Sequence, residues 1–254
     1  MDPLATSMLE INRDSLIKKN QKDIEKQIKE QLDTEEEEIA QAIKEAIAEN
    51  DVIELKEFNL NKDSSALQKA QSELSPRSLL SSAAEQGAND VIAYFLQTGL
   101  KPHPNEDLIS DAILNEQYDA AESLILHAEN FPCIKINPET VHDTPGQSHP
   151  LWNIANIRQE NLQILQVATL LLEAGANPNF SITNFNGNSV SKSPLSLACQ
   201  YGNMQLAELL LKHNADVSGH SSEFMPPIFI AARYLQPDTL ELLVNEGADI
   251  DLNP

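Results

Sequence analysis

Hydrophobic and polar residues alternate with a helical period along most of the chain, most clearly over residues 193–218. Ser193 and Pro194 indicate a helix start, because the hydroxyl can cap free backbone amides and proline has no amide hydrogen to leave unpaired. Gly202 can adopt the left-handed conformation that ends a helix, and a second apolar pattern then runs to a second stop at Asn214. This predicts a helix, a tight turn, a second helix and a stop, with too little apolar surface to fold without stacked neighbours.

Weaker copies of this unit recur along the chain, which predicts a stack of them. The copies lie at residues 39–60, 78–106, 107–137, 149–180, 193–219 and 226–254. Asn50 and Glu116 stand where two of these copies should have the first glycine stop. Segments 130–148 and 180–192 are rich in Pro, Asn, Gly and Ser and are predicted to be enlarged loops, and the polar stretch 62–76 to be a connecting loop.

These units resemble ankyrin repeats over residues 39–254, and the most specific motifs come after residue 149. The motifs are SPLSLACQYGNMQLAELLLKHNADVS at 193–218, LLLEAGANPN before residue 180, and PPIFIAARYL from 226. Trp152 departs from the family pattern, since it replaces the histidine usual in the TPLH motif. The resemblance implies an all-α solenoid of five to six helix-turn-helix repeats with short finger-like turns, which acts as a protein-interaction scaffold.

Residues 1–38 precede the repeats and are rich in Lys, Gln, Glu and Asp. Their apolar residues Ile17, Ile24, Ile28 and Leu32 are spaced to lie roughly on one helical face. We predict that this segment is a helical N-terminal cap that shields the first repeat from water. A short coiled-coil dimer is the alternative, although this stretch barely offers the three heptads that a coiled coil needs.

The formal charge of −22, from 17 basic and 39 acidic residues, argues against nucleic acid or an anionic membrane as the main partner. Simple solubility explains the charge, and a protein partner with a basic surface is the alternative. The two cysteines, Cys133 and Cys199, form no disulfide framework and fit a reducing, cytoplasmic compartment. No apolar run approaches membrane-spanning length, and residues 1–32 lack the apolar region of a signal peptide.

No constellation of residues in the sequence indicates catalysis. His142 and His149 share a loop downstream of Cys133, but no Cys-x-x-Cys or His-x-x-x-His spacing joins them into a zinc site. The glycines fall at helix ends instead of in a phosphate-binding loop, and no nucleophile elbow is present. We therefore expect no enzymatic activity, no metal, no cofactor and no small-molecule substrate.

The family resemblance also implies where a partner protein would bind, because ankyrin arrays use their turns and the exposed positions after the small pair of each first helix. The positions that follow from this are Asn156, Ile157, Gln200, Tyr201, Arg233 and Tyr234. Tyr201, Arg233 and Tyr234 would lie on one concave face, and such residues commonly anchor interfaces. The alternative is that the tyrosines only cover the groove. Asn179 stands where ankyrin repeats often carry a hydroxylated asparagine, although Pro178 departs from the usual neighbour.

One alternative function concerns a longer chain. The last repeat is as apolar as an interior one, whereas a terminal repeat normally turns polar. We therefore expect either that the chain self-associates through its C-terminal repeat or that the native chain continues past Pro254. The repeats would then be the substrate- or host-target-recognition arm of a larger secreted bacterial effector enzyme. The Asn-, Gln- and Ile-rich irregular repeats resemble in style the ankyrin proteins that intracellular bacteria deliver into host cells.

Overall fold

The structure, a computed structural model, describes residues 3–58, 60–61, 63–74, 77–103, 106–137, 149–158, 161–180, 192–219 and 225–250. The side chains of residues 3–18, 20 and 54 lie outside this description. Within it the chain forms thirteen α-helices and no β-strand, as predicted.

The helices follow one another along the chain with short connections. Their bounds are α1 Pro3–Glu49, α2 Ile53–Glu57, α3 Ser65–Leu74, α4 Leu79–Gln86, α5 Asn89–Gln97, α6 Leu108–Leu114, α7 Tyr118–His127, α8 Pro150–Asn156, α9 Leu162–Glu173, α10 Pro194–Tyr201, α11 Met204–Lys212, α12 Pro227–Arg233 and α13 Pro237–Asn245. From α4 onward each pair of helices is one repeat.

The repeats stack in two layers. Helices α4, α6, α8, α10 and α12 pack in that order, each on the next, and form what we call the first-helix layer. Helices α5, α7, α9, α11 and α13 form the second-helix layer in the same way. One continuous apolar core runs between the layers, because the equivalent residues Leu80, Ile109, Leu151, Leu195 and Ile228 are all buried. The predicted all-α solenoid is confirmed.

The helices begin and end at the capping and stop residues that the sequence predicts. The Ser193 hydroxyl accepts a hydrogen bond from the backbone amide of Ser196 at 3.2 Å, and Gly202 ends the helix with a φ of 73°. A Cβ atom at Gly202 would also lie 2.3 Å from the side-chain oxygen of Gln236. Three of the non-glycine stops are left-handed as well, with φ values of 52° at Asn50, 61° at Glu116 and 65° at Asn214. The fourth, Leu235, has a φ of 57° at the position that corresponds to Gly202.

The prediction of a connecting loop at residues 62–76 is wrong, because Ser65–Leu74 form helix α3. Its apolar residues Ala66, Leu67 and Ala70 are buried, and the helix packs on α1. By contrast, the second helix of the first repeat is only the five-residue α2, which buries Leu55. Helix α3 packs on both α1 and α4.

The predicted N-terminal cap is also corrected by the structure. Helix α1 continues without a break across residue 38, so the described residues 3–38 are not an element separate from the first repeat. Ile24, Ile28 and Leu32 are 53–54% exposed, and they do not shield the first repeat; the Ile17 side chain lies outside the described residues. Helix α3 contacts α1 only further along, through Lys69 at Asp33 and Glu37 and through Glu73 at Lys44.

Candidate partner-binding face

The six predicted partner-binding residues lie at the same end of three neighbouring helices of the first-helix layer. Helix α8 ends at Asn156 with Ile157 after it, α10 ends at Gln200 and Tyr201, and α12 ends at Arg233 with Tyr234 after it. Because α8, α10 and α12 pack side by side, these residues form one strip, which we call the candidate face.

Tyr201 is held by the preceding repeat. Its hydroxyl donates a hydrogen bond to the Asn156 side-chain oxygen at 3.1 Å, and the Arg158 guanidinium carbon lies 5.5 Å from the centre of its ring. That distance allows a cation–π contact. The half-buried tyrosine is therefore oriented before any partner arrives.

Arg158 was not among the predicted site residues. The prediction considered only the end of each first helix, whereas Arg158 lies in the connection that follows α8. A basic residue shortly after the small pair is a weak signal for such a contact, and only the stacking of α8 on α10 brings it to the ring.

Gln200 is engaged as well, through a chain of contacts to the preceding repeat. Its side-chain oxygen accepts a hydrogen bond from the Lys192 ammonium, and the Lys192 carbonyl accepts one from the Trp152 indole nitrogen at 3.0 Å. Trp152 thus ties helix α8 to Lys192, two residues before α10, which is a packing role. Ile157 is half-buried and packs on the core.

Arg233 and Tyr234 are the free part of the candidate face. Both side chains are exposed, Tyr234 to 45%, and neither forms a hydrogen bond, ion pair or ring contact with the described residues. Leu235 follows them and is 85% exposed. An exposed cation, an aromatic ring and an aliphatic side chain therefore stand next to one another at the end of α12.

Comparisons with known proteins agree with this architecture. Residues 154–254 match the family model for ankyrin repeats, in three copies. This chain contains ankyrin repeats. Because α4 to α7 stack in the same way as the matched helices, the ankyrin arrangement extends N-terminal to the matched residues.

Two individual proteins resemble parts of the ankyrin stack. Ankyrin repeat protein nuc-2 of Neurospora crassa is 41% identical over 58 residues, which are 23% of this chain and only 5% of that protein. The alignment with the crystal structure of the human ASB11 ankyrin repeat domain covers 69% of this chain and 72% of the ASB11 chain, with a TM-score of 0.51 and 24% sequence identity. At that identity the second similarity shows the fold alone.

Asn179 lies in a turn of the ankyrin stack and bridges two repeats. Its side-chain nitrogen donates to the Asn214 carbonyl at 3.1 Å, and its side-chain oxygen accepts from the Asp216 amide at 2.7 Å. Asn137 makes the equivalent bridge one repeat earlier, to Gly175 and Asn177 at 2.8 Å each. The Asn179 side chain is therefore engaged in stacking the turns, and its hydroxylation stays a prediction.

Two acidic side chains between α4 and α6 have perturbed pKa values. Burial raises the pKa of Asp107 to about 7, although the Ser110 hydroxyl and amide donate hydrogen bonds to it. Burial also raises the pKa of Asp111 to about 6, while the Ser81 hydroxyl donates to it at 2.7 Å. Asp107 caps the start of α6 and Asp111 joins α6 to α4, so both have structural partners.

The remaining residues with reactive side chains do not form a site. No cluster of three metal-binding side chains occurs among the residues that the structure describes, and His142 lies outside them. His149 stacks on Phe180 with ring centres 4.3 Å apart, and burial lowers its pKa to about 4. Cys199 is buried, which raises the pKa of its thiol to about 12. Of the described helices, none is sufficiently long and apolar to span a bilayer.

Proposed function

We propose that this chain is a scaffold that binds one partner protein through the candidate face, with no catalysis by the repeats themselves. Ankyrin repeats are generally protein–protein interaction domains, and the proposal assigns the contact to particular residues. It is carried by one observation: Arg233, Tyr234 and Leu235 are exposed together, with no interaction partner for their side chains within the described chain.

The neighbouring residues support this assignment because they are already ordered. Tyr201 is fixed by Asn156 and Arg158, so a partner that packs against its ring does not have to immobilise it. Tyrosine and arginine dominate the binding energy of many interfaces. Tyrosine presents a large surface with few rotatable bonds, and arginine presents a planar guanidinium that forms several hydrogen bonds. The candidate face thus combines a rigid tyrosine with two free anchors.

The net charge of the chain and the local charge at the candidate face favour different features in a partner. The net charge of −22 attracts a protein with a basic surface over long distances. At the contact itself, however, Arg158, Lys192 and Arg233 make the candidate face locally basic. We therefore expect a partner whose surface is basic but whose contacting segment carries a carboxylate or an aromatic ring opposite these side chains.

The test compares three forms of the purified chain as affinity baits. The first is the wild type, the second is Arg233→Ala/Tyr234→Ala, and the third is the control Leu126→Ala/Glu129→Ala at two exposed positions around the end of α7. Proteins retained by the wild type and the control but not by the second form are identified by mass spectrometry, and their affinities are then measured.

We expect the double substitution at the candidate face to weaken binding about 30-fold or more, since truncated anchors cost about 2 kcal/mol or more. The melting temperature should stay nearly unchanged, because both side chains are exposed. An equal affinity for the wild type and for Arg233→Ala/Tyr234→Ala would overturn the proposal.

The second function, a recognition arm of a larger secreted effector enzyme, stays a prediction. So does a cytoplasmic, reducing location, which is supported by the free thiols of Cys133 and Cys199. The sequence of the gene beyond Pro254, together with the cellular location of the tagged full-length protein, tests both. A further domain with a catalytic constellation would favour the effector function.

A further inference from the structure

A groove with an apolar lining lies between the C-terminal ends of α7 and α9. Its volume is about 480 Å³, which is within the range of about 300–1,000 Å³ that binding pockets commonly have. Most of the lining is aliphatic and comes from Ile125, Leu126, Ile134, Ile136 and Leu170. We call it the α7–α9 groove.

The groove is built in part by a turn that is longer than its counterpart in the next repeat. Asn137 and Asn179 make equivalent bridges between repeats, but the stretch from the end of α7 to Asn137 is four residues longer than the stretch from the end of α9 to Asn179. The longer turn supplies Ile134 and Ile136 to the lining. The α7–α9 groove is therefore a local feature of this repeat, distinct from the stacking that the repeats share.

The lining combines a buried floor with an exposed wall. Ile125 and Ile134 are buried. Ile136 and Leu170 are half-buried, and Leu126 is 63% exposed. A side chain that enters the groove removes this aliphatic surface from water, which is favourable in proportion to the apolar area covered. The lining thus selects an aliphatic or aromatic side chain.

Two carboxylates flank this aliphatic lining. Glu173 is the last residue of α9, and Glu129 lies two residues beyond the end of α7, so the partial negative charge of each helix C-terminus adds to theirs. Both side chains are exposed, and neither forms an ion pair or hydrogen bond with the residues that the structure describes. The nearby Lys135 is exposed but does not line the groove, and neither does any other described basic residue. The mouth of the groove is therefore negative.

We propose that the α7–α9 groove binds a basic segment of a partner protein, which inserts one aliphatic or aromatic side chain between flanking lysines or arginines. The inserted side chain covers the aliphatic lining, and the flanking cations pair with Glu129 and Glu173. The net charge of −22 also attracts a basic segment from a distance, which speeds the encounter.

Other occupants match the groove less well. A second copy of this chain carries the same charge of −22 and is repelled. The chain's own segment 138–148 contains Glu139 and Asp143 but no lysine or arginine. A small molecule is normally enclosed over about 70–90% of its surface, whereas the exposed Leu126 shows that this groove is open on one side.

The α7–α9 groove is separate from the candidate face. A tight turn reverses the chain between the two helices of each repeat, so the C-terminal end of a second helix lies at the opposite end of the repeat from that of the first helix. The two proposals can therefore fail independently. Leu126→Ala/Glu129→Ala should release the basic segment and keep the partner of the candidate face, and Arg233→Ala/Tyr234→Ala should do the reverse.

The first experiment selects ligands from a phage library of random short peptides on the wild-type chain, after peptides that bind Glu129→Lys/Glu173→Lys have been removed. The enriched peptides should share an aliphatic or aromatic residue between lysines or arginines. A consensus without basic residues would overturn the proposal and indicate an uncharged ligand. The absence of any enriched peptide would overturn it as well.

The second experiment measures the affinity of a selected, fluorescently labelled peptide for variants of the full chain. Glu129→Gln/Glu173→Gln should weaken binding at least ~10-fold and reduce its dependence on salt, because the flanking ion pairs are lost. The control Glu208→Gln/Glu241→Gln removes the same charge from exposed positions on α11 and α13 and should leave the affinity unchanged. Equal losses in the two variants would show that net charge alone matters, which would contradict a specific site.

The aliphatic lining is tested in the same assay. Leu126→Gln keeps a good helix former but places a polar group in the groove wall, and should weaken binding at least ~10-fold. The control Leu162→Gln changes a side chain that is 81% exposed on α9 and should have no effect. An unchanged affinity of Leu126→Gln would contradict the insertion of an apolar side chain.

Photo-crosslinking locates the bound peptide. When benzoylphenylalanine replaces the apolar residue of the peptide, crosslinks should form to residues 125–136 or 170–174 of the chain. Crosslinks that form only elsewhere would overturn the proposal.

Discussion

Replacing Asp107 by Asn is expected to stabilise the protein, and by an amount that depends on pH. The folded state holds this carboxyl group in an environment that raises its pKa from 3.8 to about 7, mainly through burial. In the unfolded chain the group ionises near its ordinary value. Asparagine is as good an N-cap as aspartate, so the substitution keeps the cap of α6 and removes the ionisation.

The sign follows from proton linkage. Between about pH 4 and pH 7 the unfolded chain has lost the Asp107 proton while the folded chain still holds it, so the wild type loses stability as the pH rises through this range. A shift of about three pKa units corresponds to at most about 4 kcal/mol at pH 8. The stability gained by Asp107→Asn should therefore be near zero at pH 4 and reach about 2–4 kcal/mol at pH 8.

Urea unfolding of the wild type and of Asp107→Asn at pH 4, 6 and 8 measures this difference directly. The difference between the two proteins is the relevant quantity, because His149 acts in the opposite direction in the same range. Its pKa of about 4 makes stability fall as the pH drops below 6.5, in both proteins alike. Asp119→Asn, which replaces an exposed acid in the first turn of α7, is the control for the loss of one carboxylate. A gain for Asp107→Asn that is equal at pH 4 and pH 8 would refute the reasoning.

Two further predictions concern single residues of the repeats. Leu235→Gly should raise the unfolding free energy by about 1 kcal/mol, because a left-handed φ of 57° strains leucine but not glycine, and the 85% exposed side chain buries little apolar surface that would be lost. Thermal unfolding measures this change, and a loss of stability would show that the Leu235 side chain packs well. Asn179 should gain one oxygen when the chain is co-expressed with an asparaginyl hydroxylase, although its amide is engaged with Asn214 and Asp216; an unmodified Asn179 peptide in the mass spectrum would dispose of that site.

The short-range signals in the sequence were enough to establish the repeats. Ser193, Gly202 and Asn214 act through the backbone within a few residues of themselves, and each has the predicted role in the structure. Such caps and stops depend on local dihedral angles and local hydrogen bonds, and the preference for these is set by the residue type at each position. The buried leucine and isoleucine positions follow from the same periodicity, so the stacked all-α fold was predictable as well.

Several positions have conformations that their own residue type disfavours. Glu116 and Leu235 are left-handed although neither is a glycine, because the stacked helices on both sides require a tight turn there. Helix α3 was missed for a different reason. Its sequence contains good helix formers, and Ala66, Leu67 and Ala70 recur at helical spacing, but its polar composition was interpreted as a loop. That these three residues are buried and that the helix packs on α1 is shown only by the structure.

The contacts within the candidate face and the exposure of Ile24, Ile28 and Leu32 were decided by tertiary structure. The sequence named Tyr201 and Tyr234 as equivalent, yet Tyr201 is held by Asn156 and Arg158 while Tyr234 is free. Likewise the apolar stripe of residues 24–32 was visible in the sequence, but not whether anything covers it. Periodicity shows that a side chain belongs to one face of a helix. Which neighbour occupies that face depends on how distant segments stack, and that arrangement is set by the packing of the whole core.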